Sequence, residues 1–354
     1  MQPALFKLNT PTKENTMNNN YFEISGSSPE LKILNMISST WVSQILQFAL
    51  NKQILEFIHA SPLDSNQLAL KLDIDEPILI RILKGLEHLA LIKRNGAHYE
   101  LSDLGTLLLP NNDAGFYSMA KLWGEEFSNS WSKLSESSTE GKPGFEIFYG
   151  QNIFEYLQKN PLRGSHFGQA MNSLAKYLYQ DISKYITLMP NETIVDVGGG
   201  NGFLIKNLLA NQPHAQGILF DLPDVIANAS EFSNESVDNL SFISGDFFEA
   251  VPQGDSYILA NIIHDWSDVH AIQILKNIRS KQKPSDRLFL VEMALNHDCE
   301  PALAISTDLN MLMLTGGKER NLDEFKSILE CSGYSFKSIT NVLNMTCLIE
   351  AFAQ

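Results

Sequence analysis

The residues with the clearest chemical potential form a glycine-rich turn near the middle of the 354-residue chain. Asp196-Val197-Gly198-Gly199-Gly200-Asn201-Gly202 follows a predicted strand and precedes a predicted helix over 203–210. Glycines let the backbone approach a ligand closely, and a helix N-terminus offers unpaired N–H groups. The next predicted strand ends at Asp221, and an acid about 20 residues beyond such glycines commonly receives ribose hydroxyls. The pattern predicts a nucleoside-containing ligand, with an ordinary glycine-rich turn as the simpler alternative.

Two nucleoside ligands compete for this turn, a dinucleotide and S-adenosylmethionine. The spacing Gly198-x-Gly200-x-Gly202 differs from the G-x-G-x-x-G of dinucleotide sites, and the turn does not lie near the start of the chain. Both features favour the methyl donor. A second acid ends another predicted strand, in Gly245-Asp246-Phe247-Phe248. Its carboxylate could hold an adenine amino group while an aromatic ring covers the base, and an ordinary turn is the alternative.

A histidine follows the next predicted strand, over 256–263. His264-Asp265-Trp266 precedes a helix that opens near Asp268. Ligands of open parallel sheets lie outside the carboxyl ends of strands, and an imidazole with an ordinary pKa of about 6.5 suits a general base at neutral pH. Glu292 ends the following predicted strand and should lie on the same rim. The simpler alternative is that Asp265 or Ser267 caps the helix while His264 packs in the core.

The elements that must position these residues alternate between strands and helices after Pro190. Five apolar runs are predicted as strands, over 193–197, 217–220, 240–243, 256–263 and 287–293. Strands separated by helices indicate a parallel sheet with right-handed crossovers. Two last runs, over 335–339 and 346–352, lie too close for an intervening helix and are predicted to pair as an antiparallel hairpin at the sheet edge. We therefore predict a seven-stranded α/β domain over 189–354.

The first part of the chain has a different pattern. Helical periodicity over 31–60, 66–72 and 78–91 is followed by the turn signal Lys93-Arg94-Asn95-Gly96 and a returning strand over 98–101. This helix, turn, helix and wing predict a mostly helical winged-helix domain over 29–110. Residues 75–91 carry three acids and two bases, which is poor for a helix lying among phosphates, so packing or dimerisation is favoured over DNA binding.

Two further segments complete the predicted organisation. Residues 111–188 are predicted to be a helical linker whose many aromatic side chains form either plain core or the wall of an apolar pocket. Residues 1–28 are polar, lack an apolar run typical of a signal peptide, and are predicted to be a disordered leader, in which Met17 is an alternative start.

Composition excludes several classes of partner. The formal net charge of −15 opposes binding to nucleic acid and to anionic membranes. Three cysteines, Cys299, Cys331 and Cys347, show no C-x-x-C spacing, which argues against a disulfide framework or a thiolate metal site. No stretch reaches the roughly 20 apolar residues of a membrane span. These features predict a cytoplasmic protein.

Taken together, the motifs resemble one known family, the class I S-adenosylmethionine-dependent small-molecule O-methyltransferases. This family includes plant caffeate and flavonoid enzymes, acetylserotonin O-methyltransferase and bacterial polyketide-tailoring enzymes, and the resemblance is closest to bacterial members. It rests on the ordered segments Val195-Asp196-Val197-Gly198-Gly199-Gly200, Phe220-Asp221-Leu222-Pro223, Gly245-Asp246-Phe247-Phe248, His264-Asp265-Trp266, Val291-Glu292-Met293 and Gly316-Gly317-Lys318-Glu319-Arg320. The resemblance implies a Rossmann-like methyltransferase domain after a winged-helix domain that forms a homodimer through interlocking helices.

The resemblance also implies roles for individual residues that bind the donor, S-adenosylmethionine. Gly198 and its neighbours border its methionine part, Asp221 takes the ribose, and Asp246 with Phe247 surrounds the adenine. The implied donor-binding set is Gly198, Gly200, Asp221, Leu222, Asp246, Phe247 and Asn261. Plant members place a lysine against adenine four residues before the catalytic histidine, and this chain has Ala260 there, followed by Asn261.

The same resemblance makes His264 the general base, flanked by Glu292 and Glu319. It implies a small hydroxylated aromatic acceptor that lies against Phe167, Met171, Met311 and Asp265. The chemistry requires no metal. One rival is an enzyme of this fold repurposed for non-methyl chemistry, against which the intact His264 and both glutamates argue. A rival from another class is a ligand-sensing winged-helix regulator, against which the acidic helix argues.

Overall fold

The computed structural model describes residues 28–112, 114–231, 238–295, 304–342 and 346–354. The predicted leader lies outside these residues except for Ser28, and so does Cys299. Contacts divide the chain into two compact units, one ending at Thr106 and one spanning Leu107–Gln354. Within the described ranges, no helix is both long enough and apolar enough to cross a membrane.

The first unit is mostly helical and carries the predicted wing. Its elements are the helices α1 (Pro29–Asn51), α2 (Ile54–Ala60), α3 (Ser65–Leu72), α4 (Glu76–His88) and α5 (Asp103–Thr106), and the strands β1 (Leu63–Asp64), β2 (Ile92–Asn95) and β3 (His98–Leu101). The hairpin of β2 and β3 is extended by β1 into an antiparallel sheet of order β1-β3-β2. Asp75 begins α4 as predicted, because its carboxylate accepts a hydrogen bond from the Ile78 N–H at 3.2 Å.

The second unit opens with a layer of helices. These are α6 (Phe116–Leu122), α7 (Ser128–Trp131), α8 (Leu134–Glu140), α9 (Gly144–Tyr149), α10 (Ile153–Lys159) and α11 (Pro161–Tyr179), with a π-helical turn at Trp123–Phe127. A buried cluster that includes Phe127, Phe145, Ile153 and Ala170 holds them together. Phe154, Tyr156 and Phe167 pack against this cluster. Other aromatic side chains of residues 111–188 are exposed, among them Phe116, Trp123 and Phe148.

The rest of the second unit is the predicted α/β domain. Its elements are the strands β4 (Thr193–Val197), β5 (Gln216–Asp221), β6 (Leu240–Ser244), β7 (Ser256–Ala260), β8 (Arg287–Glu292), β9 (Ala294–Leu295), β10 (Arg320–Asn321), β11 (Tyr334–Val342) and β12 (Thr346–Ala353), and the helices α12 (Phe203–Asn211), α13 (Pro223–Glu231), α14 (Asp268–Arg279), α15 (Ala304–Leu314) and α16 (Leu322–Cys331). Seven of the strands form one sheet of order β11-β12-β8-β7-β4-β5-β6. The five predicted parallel strands and the last antiparallel hairpin are confirmed.

Apolar side chains cover both faces of this sheet, which explains why its central strands are nearly continuous apolar runs. One face packs with Leu275 and Ile278 of α14 and Phe325 of α16. The other packs with Leu204 and Leu208 of α12. Because both faces are filled, ligands can approach the sheet only at its ends and along its edges.

One predicted strand is too long. The sequence predicts a strand to Ile263, but β7 ends at Ala260, and Ile263–Asp265 form a 3₁₀ turn. Asn261 adopts a left-handed backbone conformation with φ of 51°, which turns the chain out of the sheet. Ile263 is apolar because it is buried in the core, not because it belongs to the strand. Periodicity alone cannot distinguish a buried turn residue from a strand residue.

Candidate active site

The parallel register brings the candidate residues to one end of the sheet. Val197 pairs with Phe220, Asp196 with Ile258, and Ala260 with Val291, so β4, β5, β7 and β8 end side by side. The glycine turn, Asp221, the turn that carries His264, and Glu292 follow these strand ends. The predicted grouping on one rim is therefore present in the fold.

The glycine turn requires glycine for both conformation and space. Gly198, Gly200 and Gly202 have φ values of 73°, 59° and 76°, which favour residues without a Cβ. A Cβ on Gly198 would lie 2.5 Å from Ile262 Cδ1 and 3.7 Å from Phe247 Cε1. The glycine turn thus contacts both the segment before His264 and the predicted adenine-covering ring.

Asp221 connects this turn to the end of β5. Its carboxylate accepts hydrogen bonds from the N–H groups of Gly200 at 2.9 Å and Leu222 at 2.7 Å. Burial raises the pKa of Asp221, although these two N–H groups oppose the increase. A carboxylate has about four lone-pair sites, so acceptor capacity remains for a ligand.

Asp196 is a residue that the sequence reasoning quoted only as part of the motif. It is 1% exposed, and neither carboxylate oxygen makes a hydrogen bond of ordinary geometry with a described group, although the nearby Ile205 N–H opposes the rise of its pKa. Burial, followed by the charge of Asp221, raises the pKa of Asp196 to about 7. An acid inside an otherwise apolar strand was the available signal. Its unsatisfied carboxylate makes this end of β4 attractive to a cationic or hydrogen-bond-donating group.

The raised pKa of Asp196 predicts that the free energy of unfolding falls as the pH rises from 5 to 7. The folded state holds this proton up to about pH 7, whereas the unfolded chain releases it around the ordinary value of 3.8. The folded state therefore binds more protons in this interval, and the expected slope is about −1.4 kcal/mol per pH unit for one such group. The measurement is urea unfolding of the wild type and of Asp196→Asn at several pH values. The unfolding free energy of the variant should depend less steeply on pH. Equal slopes would contradict a protonated buried Asp196.

The predicted adenine-binding segment also stabilises its own turn. Asp246 accepts a hydrogen bond from the Phe248 N–H at 2.8 Å, so the ordinary-turn interpretation of its carboxylate is correct as far as it goes. The ring of Phe247 lies edge-on to Trp266, with centroids 6.0 Å apart. Near them, the side-chain oxygen of Asn261 is buried and makes no hydrogen bond with any described residue. This acceptor remains available to a donor such as an amino group.

His264 lies in a buried group of carboxylates. Its Nδ1 is 2.9 Å from Glu319 Oε1 and 3.9 Å from Glu292 Oε2, and its Nε2 is 3.9 Å from Asp265 Oδ1. His264 therefore packs in the core, as the simpler alternative expects, and also contacts a buried carboxylate, which that alternative does not include. Ser267 does cap α14, at 3.5 Å from the His270 N–H.

The charges around His264 change its acidity. Burial alone would lower the pKa of the imidazole, but the charge and hydrogen bond of Glu319, followed by the charges of Asp265 and Glu292, raise the pKa of His264 to about 10. The ordinary value expected from the sequence is thus corrected. Burial also raises the pKa of Glu292 to about 7 and that of Asp265 to about 6. The group binds a proton tightly.

His264, Glu292 and Glu319 form a cluster that could also hold a metal ion. One ring nitrogen of the histidine and one carboxylate oxygen of each glutamate lie within 4.8 Å of one another. Sequence spacing did not reveal this cluster. Metal ions also use such spacing, but the short contact between Nδ1 and Glu319 is the geometry of a hydrogen bond. We therefore assign this contact to a hydrogen bond and not to metal coordination.

Glu319 reaches the site because its segment packs against the turn that carries His264. A Cβ on Gly317 would lie 2.0 Å from the His264 carbonyl oxygen, so only glycine allows this approach. The Lys318 N–H donates to the same carbonyl at 2.9 Å. A capping box between Asn321 and Glu324 begins α16 immediately afterwards. The Gly-Gly-Lys-Glu-Arg segment thus supports the turn that carries His264.

Three of the four predicted acceptor-binding residues lie on two helices, and the fourth, Asp265, lies in the turn that carries His264. Phe167 and Met171 of α11 pack against the buried cluster of the helical layer, and Met311 of α15 is 8% exposed. Asn201 of the glycine turn donates to the Gly168 carbonyl at 3.3 Å, which connects α11 to the predicted donor site. Phe154 stacks on Trp266 at 5.6 Å, a contact that sequence reasoning missed because the two rings lie far apart in the chain.

Comparison with known proteins gives the family. An O-methyltransferase domain model matches residues 131–335, more than half of the chain, and an O-methyltransferase dimerisation domain model matches residues 34–111. The chain belongs to the O-methyltransferase family. Phenazine O-methyltransferase PhzM of Lysobacter antibioticus is 31% identical over 323 residues, which cover 90% of this chain and 95% of the relative. The 3-amino-4-hydroxybenzoate 4-O-methyltransferase of Streptomyces cremeus is 30% identical, with coverage of 90% and 89%.

Solved structures agree with this assignment. The crystal structure of LaPhzM matches this O-methyltransferase with a TM-score of 0.87 and 30% identity, covering 93% of this chain and 100% of that one. Human N-acetylserotonin methyltransferase, solved in complex with S-adenosylmethionine, matches with a TM-score of 0.82 and 25% identity over 93% and 100%. The predicted family, fold class and enzyme class are confirmed.

Proposed function

We propose that this O-methyltransferase transfers a methyl group from S-adenosylmethionine to a phenolic hydroxyl of a small aromatic metabolite, with His264 as general base. The observation that carries the proposal is the 2.9 Å hydrogen bond from His264 to Glu319, at the sheet end that also carries the glycine turn. One structural relative was solved with S-adenosylmethionine, and one sequence relative is named for a hydroxybenzoate. These relatives support the donor and an aromatic acceptor.

We assign the donor to the glycine turn and the acids that follow the neighbouring strands. Gly198 and Gly200 leave space for the methionine part, and the remaining lone pairs of Asp221, beside Leu222, suit ribose hydroxyls. Asp246, Phe247 and the unsatisfied oxygen of Asn261 suit adenine. The bound donor supplies a methyl group on a positively charged sulfur.

We assign proton removal to His264. With a pKa of about 10, most His264 is imidazolium at neutral pH, so the base is the neutral fraction, which grows as the pH rises toward 10. In this neutral form Glu319 keeps the remaining proton on Nδ1, which leaves Nε2 as the ring nitrogen able to accept the hydroxyl proton. A phenol has a pKa of about 10, so this proton must be removed as the oxygen attacks. Because Glu319 and Glu292 stabilise the imidazolium that forms, the base is the histidine together with its carboxylates.

We assign the acceptor to the space between the turn that carries His264 and the layer of helices α6 to α11. Phe167 and Met171 from α11 and Met311 from α15 provide apolar contacts, and Asp265 lies beside His264 Nε2. Apolar walls exclude water and hold the hydroxyl close to the methyl group, so that the reaction becomes effectively unimolecular. A flat aromatic molecule fits these contacts best.

The test is methyl transfer itself. Purified protein is incubated with isotopically methyl-labelled S-adenosylmethionine and 3-amino-4-hydroxybenzoate, and products are identified by mass spectrometry. The expected product is a methyl ether of the phenol. Label found only on the amino nitrogen, or no binding of S-adenosylmethionine by calorimetry, would overturn the proposal.

We further propose that the protein is a homodimer assembled through α1. In the isolated chain, Leu34, Ile37 and Trp41 of α1 are 60%, 69% and 68% exposed, and the dimerisation domain model covers them. Such apolar side chains mark an interaction surface. A second copy of the chain would cover them.

The dimer predicts that Trp41→Glu produces monomers, because a buried unpaired charge opposes association. Light scattering coupled to size-exclusion chromatography measures the mass. The matched control is Leu70→Glu on α3, which also replaces a highly exposed apolar residue and should remain dimeric. Equal masses for the wild type and Trp41→Glu would reject α1 as the interface.

A further inference from the structure

Arg320 is a fully buried cation beside the turn that carries His264. We call residues 262–266 the catalytic turn. The Arg320 side chain is 0% exposed; its Nη1 donates to the Ile263 carbonyl at 2.8 Å and its Nη2 to the Trp266 carbonyl at 2.7 Å. Its Nε donates to Asp268, the first residue of α14, at 3.0 Å. One guanidinium thus joins two carbonyls of the catalytic turn to the helix that follows it.

The opposite side of the catalytic turn is held by Glu292. Its Oε1 accepts from the N–H groups of Ile262 at 3.1 Å and Ile263 at 2.8 Å. Arg320 and Glu292 therefore bind complementary backbone groups of the same short turn. A 3₁₀ turn has poor internal hydrogen-bond geometry, so these external bonds determine where the imidazole lies.

A buried guanidinium is difficult to explain by stability alone. Burying a charge is costly unless it is well paired, and apolar residues of similar volume often stabilise a protein equally well. Among the described residues, the carboxylate that pairs with Arg320 is that of Asp268, which is 49% exposed and is shared with Lys318 at 3.1 Å. The planar, five-donor guanidinium can reach several acceptors at fixed angles, which a lysine ammonium cannot.

We propose that Arg320 is a positioning residue for methyl transfer: it fixes the catalytic turn through the two carbonyls, and its charge balances the buried glutamates around His264. The proposal rests on the proposed role of His264 as base and adds a residue that acts through it.

The charge argument follows from the groups that surround the site. Glu319, Asp265 and Glu292 face His264. Burial raises the pKa of the nearby Tyr179, and the negative charges of Glu292, Asp196, Asp265 and Glu319 raise it further. Asp308 accepts the N–H of Glu319 at 2.9 Å. Among these acids, Arg320 favours the ionised form of Glu292 by opposing the effect of burial on its pKa. Removing that charge would raise the proton affinity of Glu292 and, because a nearby cation disfavours the imidazolium, that of His264 as well.

The test compares three variants. Arg320→Lys keeps the charge but cannot bind both carbonyls, and Arg320→Met removes charge and donors. Arg279→Lys is the matched control, because Arg279 also binds three backbone carbonyls, those of Gly333, Gln282 and Gln354, at the far end of α14. For each protein we measure the unfolding midpoint, donor affinity by calorimetry, kcat and KM for the acceptor, and the titration of His264 by NMR, assigned by its loss in His264→Ala.

The expected result is a fall in kcat of about 10- to 100-fold in Arg320→Lys with little change in donor affinity, because a small displacement of the base is enough to slow the reaction. The control should lose stability but keep the wild-type kcat and His264 titration. The midpoint of His264 should move to higher pH in Arg320→Met, because a neighbouring cation is removed, and less in Arg320→Lys.

Two results would overturn the proposal. One is a wild-type kcat in Arg320→Lys, and the other is an unchanged His264 titration in Arg320→Met. If Arg320→Met does not fold, Arg320→Lys still decides the positioning role through kcat. If the wild type transfers no methyl group, the proposed function fails, whereas the NMR titration still tests the charge role of Arg320.

Discussion

Replacing His264 by alanine is expected to lower kcat for methyl transfer by a factor of about 10² to 10⁴, the usual contribution of a positioned acid–base group. The side chain makes a 2.9 Å hydrogen bond to Glu319, and its loss removes the proton acceptor next to the attacking hydroxyl. Donor affinity should change little, because the glycine turn and Asp221 are untouched. The measurement is initial-rate kinetics with labelled donor, together with calorimetry of donor binding.

Glu319→Gln is the companion variant. It keeps the size of the side chain and an oxygen that can accept the Nδ1–H, but removes the charge that most raises the pKa of His264. The pKa of His264 should fall from about 10 toward the ordinary imidazole value. The rise of kcat with pH, which follows deprotonation of the base, should therefore move to lower pH. A kcat in His264→Ala close to that of the wild type would exclude His264 as the base, whatever the behaviour of Glu319→Gln.

Asp221→Ala is expected to weaken binding of S-adenosylmethionine by roughly 100-fold or more, since two hydrogen bonds from ribose to a charged group contribute about 1.5–3 kcal/mol each. The loss has a second cause, because the same carboxylate binds the N–H groups of Gly200 and Leu222 and so shapes the glycine turn. Calorimetric titration of the wild type and the variant measures the change directly.

Asp221→Asn separates these two causes. The amide keeps one acceptor oxygen and the volume, so the glycine turn should persist while the charge is lost, and the affinity should lie between those of the wild type and Asp221→Ala. His264→Ala serves as the control with intact donor binding. If Asp221→Ala binds the donor as tightly as the wild type, the ribose is not held by this acid and the assignment of the donor site must be revised.

The proposed base depends on the segment that packs against the catalytic turn. The proton that His264 receives is stabilised by Glu319, and the segment that carries Glu319 is placed by Gly317, whose lack of a Cβ allows it to lie against the His264 carbonyl. In the proposed mechanism, the position of the base therefore depends on a backbone contact between two segments more than 50 residues apart.

The sequence by itself determined the fold class, the strands and the rim on which the candidate residues meet. Local signals were enough, because apolar periodicity marks strands and helices, glycines mark the turn after β4, and parallel strands joined by right-handed crossovers must place their carboxyl ends together. Asp221, His264 and Glu292 could thus be grouped before any coordinates, since each follows or ends a strand.

Only the tertiary structure decided the chemistry of that rim. The pKa of His264 is raised to about 10 by Glu319, which a separate segment brings to Nδ1, and the pKa of Asp196 is raised to about 7 by burial that no local pattern reports. The early end of β7, the stacking of Phe154 on Trp266 and the burial of Arg320 have the same origin. Acidity and position depend on desolvation and on charges from distant segments, so they emerge only when the chain is folded.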